Sequence, residues 1–503
     1  MLIQRIHRTH ILHLIAFCIS SIHLISCHQK KSAVTWNTSL PVIGSQSSPR
    51  SADLNLDGTL DIIMGAGKNE SQKSTQGVIA LSGKTGALLW QQESEDQVYG
   101  SASFYDINGD NVPEVFIGGR SPYFMALDGK TGKVVWKYEF MHENDSILKH
   151  ARFNFNNSVF IPDQNNDGYP ELITTNGGNS KANPSSEHNR YPGVLIMFDS
   201  KTGSILAADT MPDGKETYMS PLSFVQPESN EQLILFGTGG ETISGNLYLA
   251  TVADLLNRKL SNAKILASEV DHGFIAPAVL ADINQDGYQD IVAISHSSSI
   301  LAISGKDYTL VWKQKIKNTE SSNSFAVGYF NNDAIPDFFT FVSKGEWPNN
   351  TGSLQVMFDG KSGEVEYLDS IGCTGFSSPV VYDITGDGID EAIISINEFD
   401  CTGFTESTIS QIENKLIAIN FDDQTTQVID QAEGFKNIFS TPWVGDIDND
   451  GFLDIVHCQY YSYGGLLTFL GMTIKRIETP ISIKEQVRWG GYMGSNGDGI
   501  FKK

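Results

Sequence analysis

A short acidic phrase, repeated six times in full, constrains the fold of this 503-residue chain more than any other feature. Its first copy is DLNLDGTLD at residues 53–61, and neighbouring copies lie about fifty to sixty residues apart or about twice that distance. The other copies occupy residues 106–114, 163–171, 282–290, 383–391 and 446–454. A period of this length is typical of solenoids and propellers, in which the repeats fold as one array. We therefore expect one repeating domain in place of the three that the length alone suggests.

Each copy carries oxygen-bearing side chains at its first, third, fifth and ninth positions and a turn residue at its sixth. Glycine fills the sixth position in five copies and Asn111 in the other, as a left-handed turn requires. Oxygen ligands in a short loop suit Ca²⁺, and the absence of His and Cys from the loops argues against Zn²⁺ and copper. An EF-hand is excluded, because its bidentate Glu at position twelve is replaced by Met64, Ala293 and His457 in three copies.

We therefore expect up to six bound Ca²⁺ ions and no organic cofactor. The alternative is a set of turns that Asp and Asn side chains stabilise without an ion. The predicted metal ligands are Asp53, Asn55, Asp57, Asp61, Asp106, Asn108, Asp110, Glu114, Asp163, Asn165, Asp167, Glu171, Asp282, Asn284, Asp286, Asp290, Asp383, Thr385, Asp387, Glu391, Asp446, Asp448, Asp450 and Asp454.

Short apolar runs before and after each acidic phrase predict two strands joined by a turn. A second phrase then follows, ALSGKTGALLW at residues 80–90 and ALDGKTGKVVW at residues 126–136. Weaker copies begin at Met197, Ala302 and Met357. This phrase predicts a second hairpin, so each repeat supplies a four-stranded antiparallel blade of an all-β propeller.

Two incomplete repeats bring the predicted number of blades to eight, with seven as the alternative. One repeat, between residues 171 and 282, keeps four strand-like runs, but residues 227–230 replace its acidic loop. The other keeps Asn331, Asp333 and Asp337 but lacks the first acid and the glycine, so we expect its site to be empty or weak.

The N-terminal strand is expected to close the ring. Trp36 precedes Asp53 by the same distance by which Trp312 precedes Tyr329, which places Trp36 in the phase of a fourth strand. The last blade is the neighbour that this strand can complete, and the pairing would remove an open sheet edge.

Residues 1–26 have the pattern of an export signal, with Arg5 and Arg8 before an apolar run at residues 11–25. The run ends in Leu-Ile-Ser-Cys27, which resembles a bacterial lipobox and implies lipidation of Cys27 after cleavage. A plain secretory signal is the alternative. We therefore expect a lipoprotein signal peptide at residues 1–26, and a propeller at residues 27–503 with a C-terminal extension from about residue 475. The implied location is the cell envelope, as a lipoprotein attached to the outer membrane and facing the periplasm or the surface.

Charge and cysteine content agree with an exported protein. The net charge of −24 excludes nucleic acid as a partner, because phosphate binding needs basic surface. Cys373 and Cys401 each open a Cys-Thr-Gly-Phe sequence and lie equally far from the centre of the fifth acidic phrase. If that phrase is a hairpin turn, the two cysteines face each other, so we predict a disulfide between them. Cys458 is expected to be a buried thiol.

The acidic loops resemble FG-GAP (VCBS-type) repeats, which occur in the propeller of integrin α-subunits and in many bacterial surface proteins. The resemblance covers residues from about 36 to about 470. It implies Ca²⁺ in the loops and a role in recognition or adhesion. The ALDGKTGKVVW phrase also resembles the tryptophan-docking repeat of quinoprotein-like propellers, which commonly have eight blades, whereas integrin propellers have seven.

Three functions are compatible with these patterns. Recognition or scaffolding of a protein or glycan ligand is favoured. An oxidoreductase of the quinoprotein type is one alternative, although the chain has no adjacent cysteine pair and no hydrolase or nucleotide motif. An outer-membrane assembly factor is the other. The expected contact surfaces are the long connections at residues 176–191, 343–351 and 397–414, because loops on a rigid ring carry function. His150, His188, His272, His296 and His457 are scattered and expected to be structural or surface residues.

Overall fold

Strand pairing gives eight antiparallel sheets of four strands each; in seven of them the strands pair in chain order, and in the last the N-terminal strand is the fourth. The computed structural model describes residues 32–502 except residues 180, 184–185, 187, 347–348, 402–410 and 464–467. The predicted signal segment and Cys27 lie outside the described residues. We number the sheets as blades 1 to 8 along the chain and the strands of each blade as first to fourth.

Blades 1 to 4 occupy the first half of the chain. Their strands are, in blade 1, Arg50–Ala52, Asp61–Gly65, Ser74–Leu81 and Leu88–Ser94; in blade 2, Ser103–Tyr105, Glu114–Gly119, Tyr123–Leu127 and Val134–Lys137; in blade 3, a first strand split into Asn154–Phe155 and Val159–Ile161, then Glu171–Gly177, Val194–Asp199 and Ile205–Thr210; and in blade 4, Leu222–Gln226, Glu231–Gly237, Gly245–Thr251 and Lys264–Glu269.

Blades 5 to 8 follow. Their strands are, in blade 5, Val279–Ala281, Asp290–Ile294, Ser299–Ile303 and Leu310–Lys315; in blade 6, Thr319–Glu320 with Ala326–Gly328, then Asp337–Lys344, Gly352–Phe358 and Val365–Asp369; in blade 7, Val380–Tyr382, Glu391–Glu398, Glu413–Asn420 and Thr425–Glu433; and in blade 8, Phe435–Lys436 with Trp443–Gly445, then Phe452–Tyr461, Gly471–Ser482 and Ala33–Pro41.

The eight-bladed count and the closure by an N-terminal strand are confirmed. The strand Ala33–Pro41 pairs antiparallel with Gly471–Ser482, and Trp36 lies opposite Arg476. Blade 4 is the repeat without an acidic loop, and blade 6 carries the degenerate one. Among the described residues, helix is confined to the short segment Val252–Leu256 and to the 3-10 turns Leu148–His150 and Leu260–Asn262. Within the described part of the chain, no helix reaches the length and apolarity needed to cross a bilayer.

Alternation of strand direction gives the ring two faces. The acidic loops join first to second strands, so they share one face with the turns between third and fourth strands. We call this the acidic face. The connections between second and third strands lie on the other side, together with the segments that lead into each first strand. We call that side the opposite face.

In blades 1, 2, 5 and 8, a tryptophan of the fourth strand binds the blade to the next one. The indole Nε1–H of Trp90 donates to the carbonyl oxygen of Gly129 (2.7 Å), and that of Trp312 donates to Gly360 (2.9 Å). Trp36 makes the same contact with Gly83 across the ring closure (2.7 Å). Each ring also covers a glycine with positive φ: a Cβ on Gly132 would lie 2.5 Å from the ring of Trp90. These turns therefore require glycine for both backbone conformation and space.

A belt of hydrogen bonds runs around the inside of the ring on the opposite face. In six blades, one residue before the first strand, or between its two parts where that strand is split, donates its backbone N–H to the side chain of the corresponding residue in the next blade. The six links are Ser48 to Ser101 (3.1 Å), Ser101 to Asn157 (2.8 Å), Asn157 to Ser220 (3.3 Å), Ser324 to Ser378 (3.0 Å), Ser378 to Thr441 (3.0 Å) and Thr441 to Ser48 (3.0 Å). Pro277 interrupts the belt in blade 5, because proline has no N–H to donate.

The C-terminal segment, residues 483–502, lies across the first strands on the ring axis. Trp489 accepts the backbone N–H of Val381 in blade 7 (2.9 Å), and Gly499 accepts that of Leu280 in blade 5 (2.8 Å). Arg50 of blade 1 donates to the carbonyl oxygen of Tyr492 (2.6 Å). The third strand of blade 8 continues to Ser482, beyond the predicted start of the extension near residue 475. The extension is therefore shorter than expected, and it fills the centre of the ring.

Candidate functional site

The acidic loops have one backbone geometry in all six copies. In the first loop, the N–H of Gly58 donates to Asp53 (3.0 Å), and the N–H of Leu54 donates to Asp61 (3.0 Å). The equivalent pairs of bonds occur in the other five loops. The sixth residue has positive φ in every copy, from +70° at Asn111 to +93° at Gly388. The loops are therefore preorganised by their own carboxylates and turn residues.

The first and ninth acids of a loop differ in environment. Asp163 is exposed, and the backbone N–H of Gly168 is the main cause that lowers the pKa of its carboxyl. The ninth acids lie at or near the start of the second strands and are buried. Burial raises the pKa of Asp61 and of Asp290 to about 6, and that of Glu391 to about 7, with neighbouring carboxylates adding to the shift. The ninth acid of each of these loops therefore places buried carboxylate oxygens close to the other acids of the same loop.

Two loops bring three carboxylates together, with one oxygen of each within 4.8 Å of the others: Asp163, Asp167 and Glu171 in blade 3, and Asp446, Asp448 and Asp454 in blade 8. Clustered carboxylate and amide oxygens are the ligand set of Ca²⁺. In the degenerate loop of blade 6, Asp337 keeps the buried ninth position, and burial raises the pKa of its carboxyl to about 8.

Cys373 and Cys401 form a disulfide, with their Cα atoms 5.5 Å apart. The bridge joins the segments that flank the first hairpin of blade 7, where Thr374 and Asn397 form an isolated β-bridge. Cys458 is buried and free, and burial raises the pKa of its thiol to about 12. A thiol held protonated in this way is a poor nucleophile.

An axial cavity of about 400 Å³ opens on the opposite face, inside the belt. Blades 1 to 4 line it with polar groups, including the amides of Asn157 and Asn179 and the hydroxyls of Tyr99 and Tyr218. Blades 7 and 8 contribute Phe376 and Phe439, whose rings stack with centroids 5.5 Å apart. Tyr492 of the C-terminal segment also lines the cavity. The cavity therefore has a hydrogen-bonding side and an aromatic side.

Two ion pairs fix the polar wall. Arg190 pairs with Glu216 of blade 4, which is almost fully buried, and also donates to the carbonyl oxygen of Ser186 (3.0 Å). The long connection of blade 3 is thereby tied to the neighbouring blade. Arg120 of blade 2 pairs with Glu70 of blade 1 (2.5 Å). Each guanidinium thus has a carboxylate partner, and the carboxylate of Glu241 is a further acid in the cavity lining.

The predicted contact surfaces meet this cavity unequally. Asn179 and Arg190, from the connection at residues 176–191, lie in its wall. The connection at residues 343–351 contributes none of the described lining residues, and Trp347 lies outside the described residues. Half of the connection at residues 397–414, residues 402–410, is also outside them. The cavity residues next to the first strands, such as Phe376 and Phe439, were not predicted. The sequence could have indicated them, because these residues occupy the same position just before a first strand.

The five histidines do not form one site. His188 is exposed, and His272 and His296 are neighbours, with ring centroids 5.6 Å apart. His457 is fully buried, with Nε2 3.2 Å from Ser395 Oγ and Nδ1 3.5 Å from Asp430. This Ser-His-Asp arrangement has the connectivity of a hydrolase triad. However, Ser395 is 0% exposed and its hydroxyl accepts the amide of Asn414 (3.1 Å). A substrate has no access to that hydroxyl in this structure.

A second concavity, of about 600 Å³, lies at the side of the ring near blades 2 and 3. Its lining includes Met141, His142 and Arg258. It contains none of the predicted ligand or contact residues, and it is set apart from the axis.

The chain matches a known family of propeller proteins. The model of the FAM234A/B beta-propeller family matches residues 72–375, well over half of the chain. The chain belongs to the FAM234A/B β-propeller family. Protein FAM234B of Gallus gallus is 23% identical over 370 residues, a match that covers 68% of this chain and 55% of the relative. This FAM234A/B-family chain thus matches only a little over half the length of that curated relative.

Solved structures share the architecture. A europium-containing methanol dehydrogenase superposes on this FAM234A/B-family chain with a TM-score of 0.56 and 11% identity, over 89% of this chain and 93% of the other. A quinohemoprotein alcohol dehydrogenase from Comamonas testosteroni gives a TM-score of 0.54 and 11% identity, over 91% and 78%. BamB from Moraxella catarrhalis gives 0.49 and 13%, over 89% and 99%. At these identities the similarity concerns the fold alone.

Proposed function

We propose that this FAM234A/B-family propeller is an exported recognition module: a calcium-stabilised ring that binds a saccharide in its axial cavity. The observation that carries the proposal is the cavity itself, with a polar wall from blades 1 to 4 and an aromatic pair from blades 7 and 8. Its volume of about 400 Å³ lies within the usual range for small-molecule sites.

The chemistry of the lining favours a neutral, polyhydroxylated ligand. Amide and hydroxyl groups can both donate and accept hydrogen bonds, as a row of sugar hydroxyls requires. The phenyl faces of Phe376 and Phe439 carry partial negative charge and suit the C–H face of a sugar ring. The guanidinium groups of Arg120 and Arg190 are already paired with Glu70 and Glu216. An anionic ligand would have to compete with those carboxylates.

Calcium in the acidic loops is the structural part of the proposal. The support is the shared geometry of the loops and the cluster of three carboxylates in blade 3. The resemblance to FG-GAP repeats points to the same ion. Bound Ca²⁺ would offset the repulsion among the carboxylates of each loop that holds it and so stiffen the acidic face.

Export and lipid attachment through Cys27 are proposed from the sequence pattern of residues 1–27. The disulfide between Cys373 and Cys401 supports an oxidising compartment. A Cys27→Ser variant is expected to move from the membrane fraction to the soluble fraction of the cell envelope. Unchanged membrane association of that variant would exclude Cys27 as the anchor.

A recognition role is favoured over catalysis for this chain. The Ser395, His457 and Asp430 arrangement is closed to substrate, and the cavity wall described above holds no histidine. A scaffold or assembly function remains the second proposal, because the rigid closed ring would serve it equally. The two differ in whether the axial cavity has a ligand.

The decisive experiment is a ligand screen of the purified protein in the presence of Ca²⁺, with a glycan array followed by calorimetry against the saccharides that bind. Asn179→Ala should weaken the binding by about tenfold, the loss expected for one to two hydrogen bonds. Asn349→Ala is the matched control, because Asn349 is exposed on the equivalent connection of blade 6, outside the cavity lining.

Binding of peptides but not saccharides, or saccharide binding that Asn179→Ala leaves unchanged, would contradict the proposal. The calcium part is tested separately by thermal melting with and without a chelator. We expect chelation to lower Tm by at least about 5 °C, because several bound ions each stabilise the folded state by mass action. An unchanged melt after chelation would exclude a stabilising role for Ca²⁺.

A further inference from the structure

Blade 8 differs from the other blades at one position of its third strand. Arg476 lies opposite Trp36 of the fourth strand. The residue opposite the corresponding fourth-strand position is small or apolar in five other blades: Ala80 in blade 1, Ala126 in blade 2, Met197 in blade 3, Ala302 in blade 5 and Met357 in blade 6. An arginine at this position is therefore particular to the blade that closes the ring.

The guanidinium of Arg476 reaches the sixth acidic loop. Nε donates to Asp454 Oδ1 at 2.8 Å, and Nη2 donates to Asp454 Oδ2 at 3.0 Å and to Asp448 Oδ2 at 2.6 Å. Nη1 donates to the carbonyl oxygen of Gly83 in blade 1 at 3.2 Å. The Arg476 side chain is 2% exposed and that of Asp454 is 0% exposed. The loop's third and ninth ligands are thus already bound to a buried cation.

The ninth acids of the other five loops have different partners. Among the residues that the structure describes, they accept hydrogen bonds from backbone N–H groups and from Asn or Thr side chains. Within the described residues, none of these five ninth acids has a salt bridge to a cationic side chain, although Lys484 donates to the carbonyl oxygen of Gly386 in the fifth loop (3.5 Å). The sixth loop has the same acidic spacing but a positive charge supplied by the chain.

We infer that Arg476 is a built-in cation that takes the place of Ca²⁺ in the sixth loop, so that the chain binds calcium at five loops. The inference rests on the proposed calcium binding of the other loops. Ca²⁺ needs six to eight oxygen ligands. In this loop, both carboxylate oxygens of Asp454 and one of Asp448 already accept hydrogen bonds from the guanidinium. A calcium ion among them would also lie within a few ångströms of a buried positive charge.

The guanidinium of Arg476 also contributes to the closure of the ring. Arg476 connects the acidic loop of blade 8 to the turn of blade 1 that also accepts the indole of Trp36. The bidentate charge-assisted contact with Asp454 holds the guanidinium within blade 8, and its bond to Gly83 links blade 8 to blade 1 without depending on the concentration of free Ca²⁺.

The test counts bound ions by equilibrium dialysis of the purified protein against radiolabelled calcium. The wild type should bind five. Asp282→Ala, which removes the first ligand of the blade 5 loop, should lower the count by one. Asp446→Ala, the matched change in blade 8 at an acid that Arg476 does not contact, should leave it at five. Arg476→Met, which gives blade 8 the residue of blade 6, should raise the count to six.

Six ions in the wild type, with one lost in Asp446→Ala, would overturn the inference but leave the proposed function standing. An Arg476→Met protein that folds and still binds five would also overturn it. If that variant does not fold, the comparison of Asp446→Ala with Asp282→Ala decides alone. Binding of no calcium to any loop would instead refute the calcium part of the proposed function.

Discussion

His457 is a fully buried titratable side chain between blades 7 and 8, in contact with Ser395 and close to Asp430. Burial lowers its pKa below the usual value near 6.5, although Asp430 acts in the opposite direction. In the unfolded chain the imidazole binds a proton as pH falls through about 6.5, whereas the folded state resists protonation. The contribution of His457 to stability is therefore present above about pH 6.5 and declines below it.

We predict that the difference in unfolding free energy between wild type and His457→Gln shrinks as pH falls from about 7.5 to about 5.5. One differential proton changes stability by at most about 1.4 kcal/mol per pH unit. Chemical denaturation at several pH values measures this, with His188→Gln as the control because His188 is exposed. A difference that stays constant over this range would contradict the prediction.

Docking of a tryptophan onto the next blade is the contact that joins one element to another. Trp90→Phe keeps an aromatic ring but leaves the carbonyl oxygen of Gly129 without its donor, a loss of about 1–3 kcal/mol. Trp36→Phe should be milder, because Gly83 also accepts Arg476 at 3.2 Å. Denaturant midpoints of the two variants test this order. A larger loss in Trp36→Phe than in Trp90→Phe would show that the guanidinium does not compensate.

The strands and turns were predictable because the sequence of each repeat indicates its own local structure. The acidic phrase predicted a turn with positive φ at its sixth residue, and Gly58 and Asn111 have that conformation. The phase of Trp36 predicted the closing strand. Local pattern is sufficient for the other strands, because strands that are neighbours in sequence are also neighbours in the sheet.

Residues that meet across the ring were not predictable in the same way. The cavity combines Asn157, Phe376 and Phe439 from segments far apart in the chain, and no repeat contains the whole set. The contact of Arg476 with the sixth loop joins the third strand of blade 8 to the loop between its first and second strands. Its signal was an arginine where other repeats have alanine or methionine, which has a meaning only once the strands are aligned.

At the scale of the whole molecule, the C-terminal segment acts as an axial core. It buries Trp489 and Phe501 against first strands, and it pairs with Leu280 in blade 5, where Pro277 interrupts the belt. Three inner strands thus give backbone N–H groups to one short segment, those of Val381, Val444 and Leu280. The segment replaces hydrogen bonds that the inner edges of the blades otherwise lack.

Removal of residues 488–503 is expected to speed amide exchange at Val381, Val444 and Leu280 by at least about tenfold and to lower Tm. The reason is that these N–H groups lose their acceptors and the axis admits water. Hydrogen exchange measured by mass spectrometry tests this. Amides between second and third strands, such as that of Leu416, serve as internal controls. Uniform protection before and after truncation would show that the segment is not needed for the inner strands.

Ring closure by the first strand has a consequence for how the protein is made. The strand Ala33–Pro41 is synthesised before every other strand of the ring, and its partner Gly471–Ser482 after all of them. During most of synthesis this strand therefore has no partner, and pairings so distant in sequence form slowly. Until its partner arrives, the nascent chain carries two exposed sheet edges that invite mispairing with other chains. Successful biogenesis therefore depends on how long those edges stay protected.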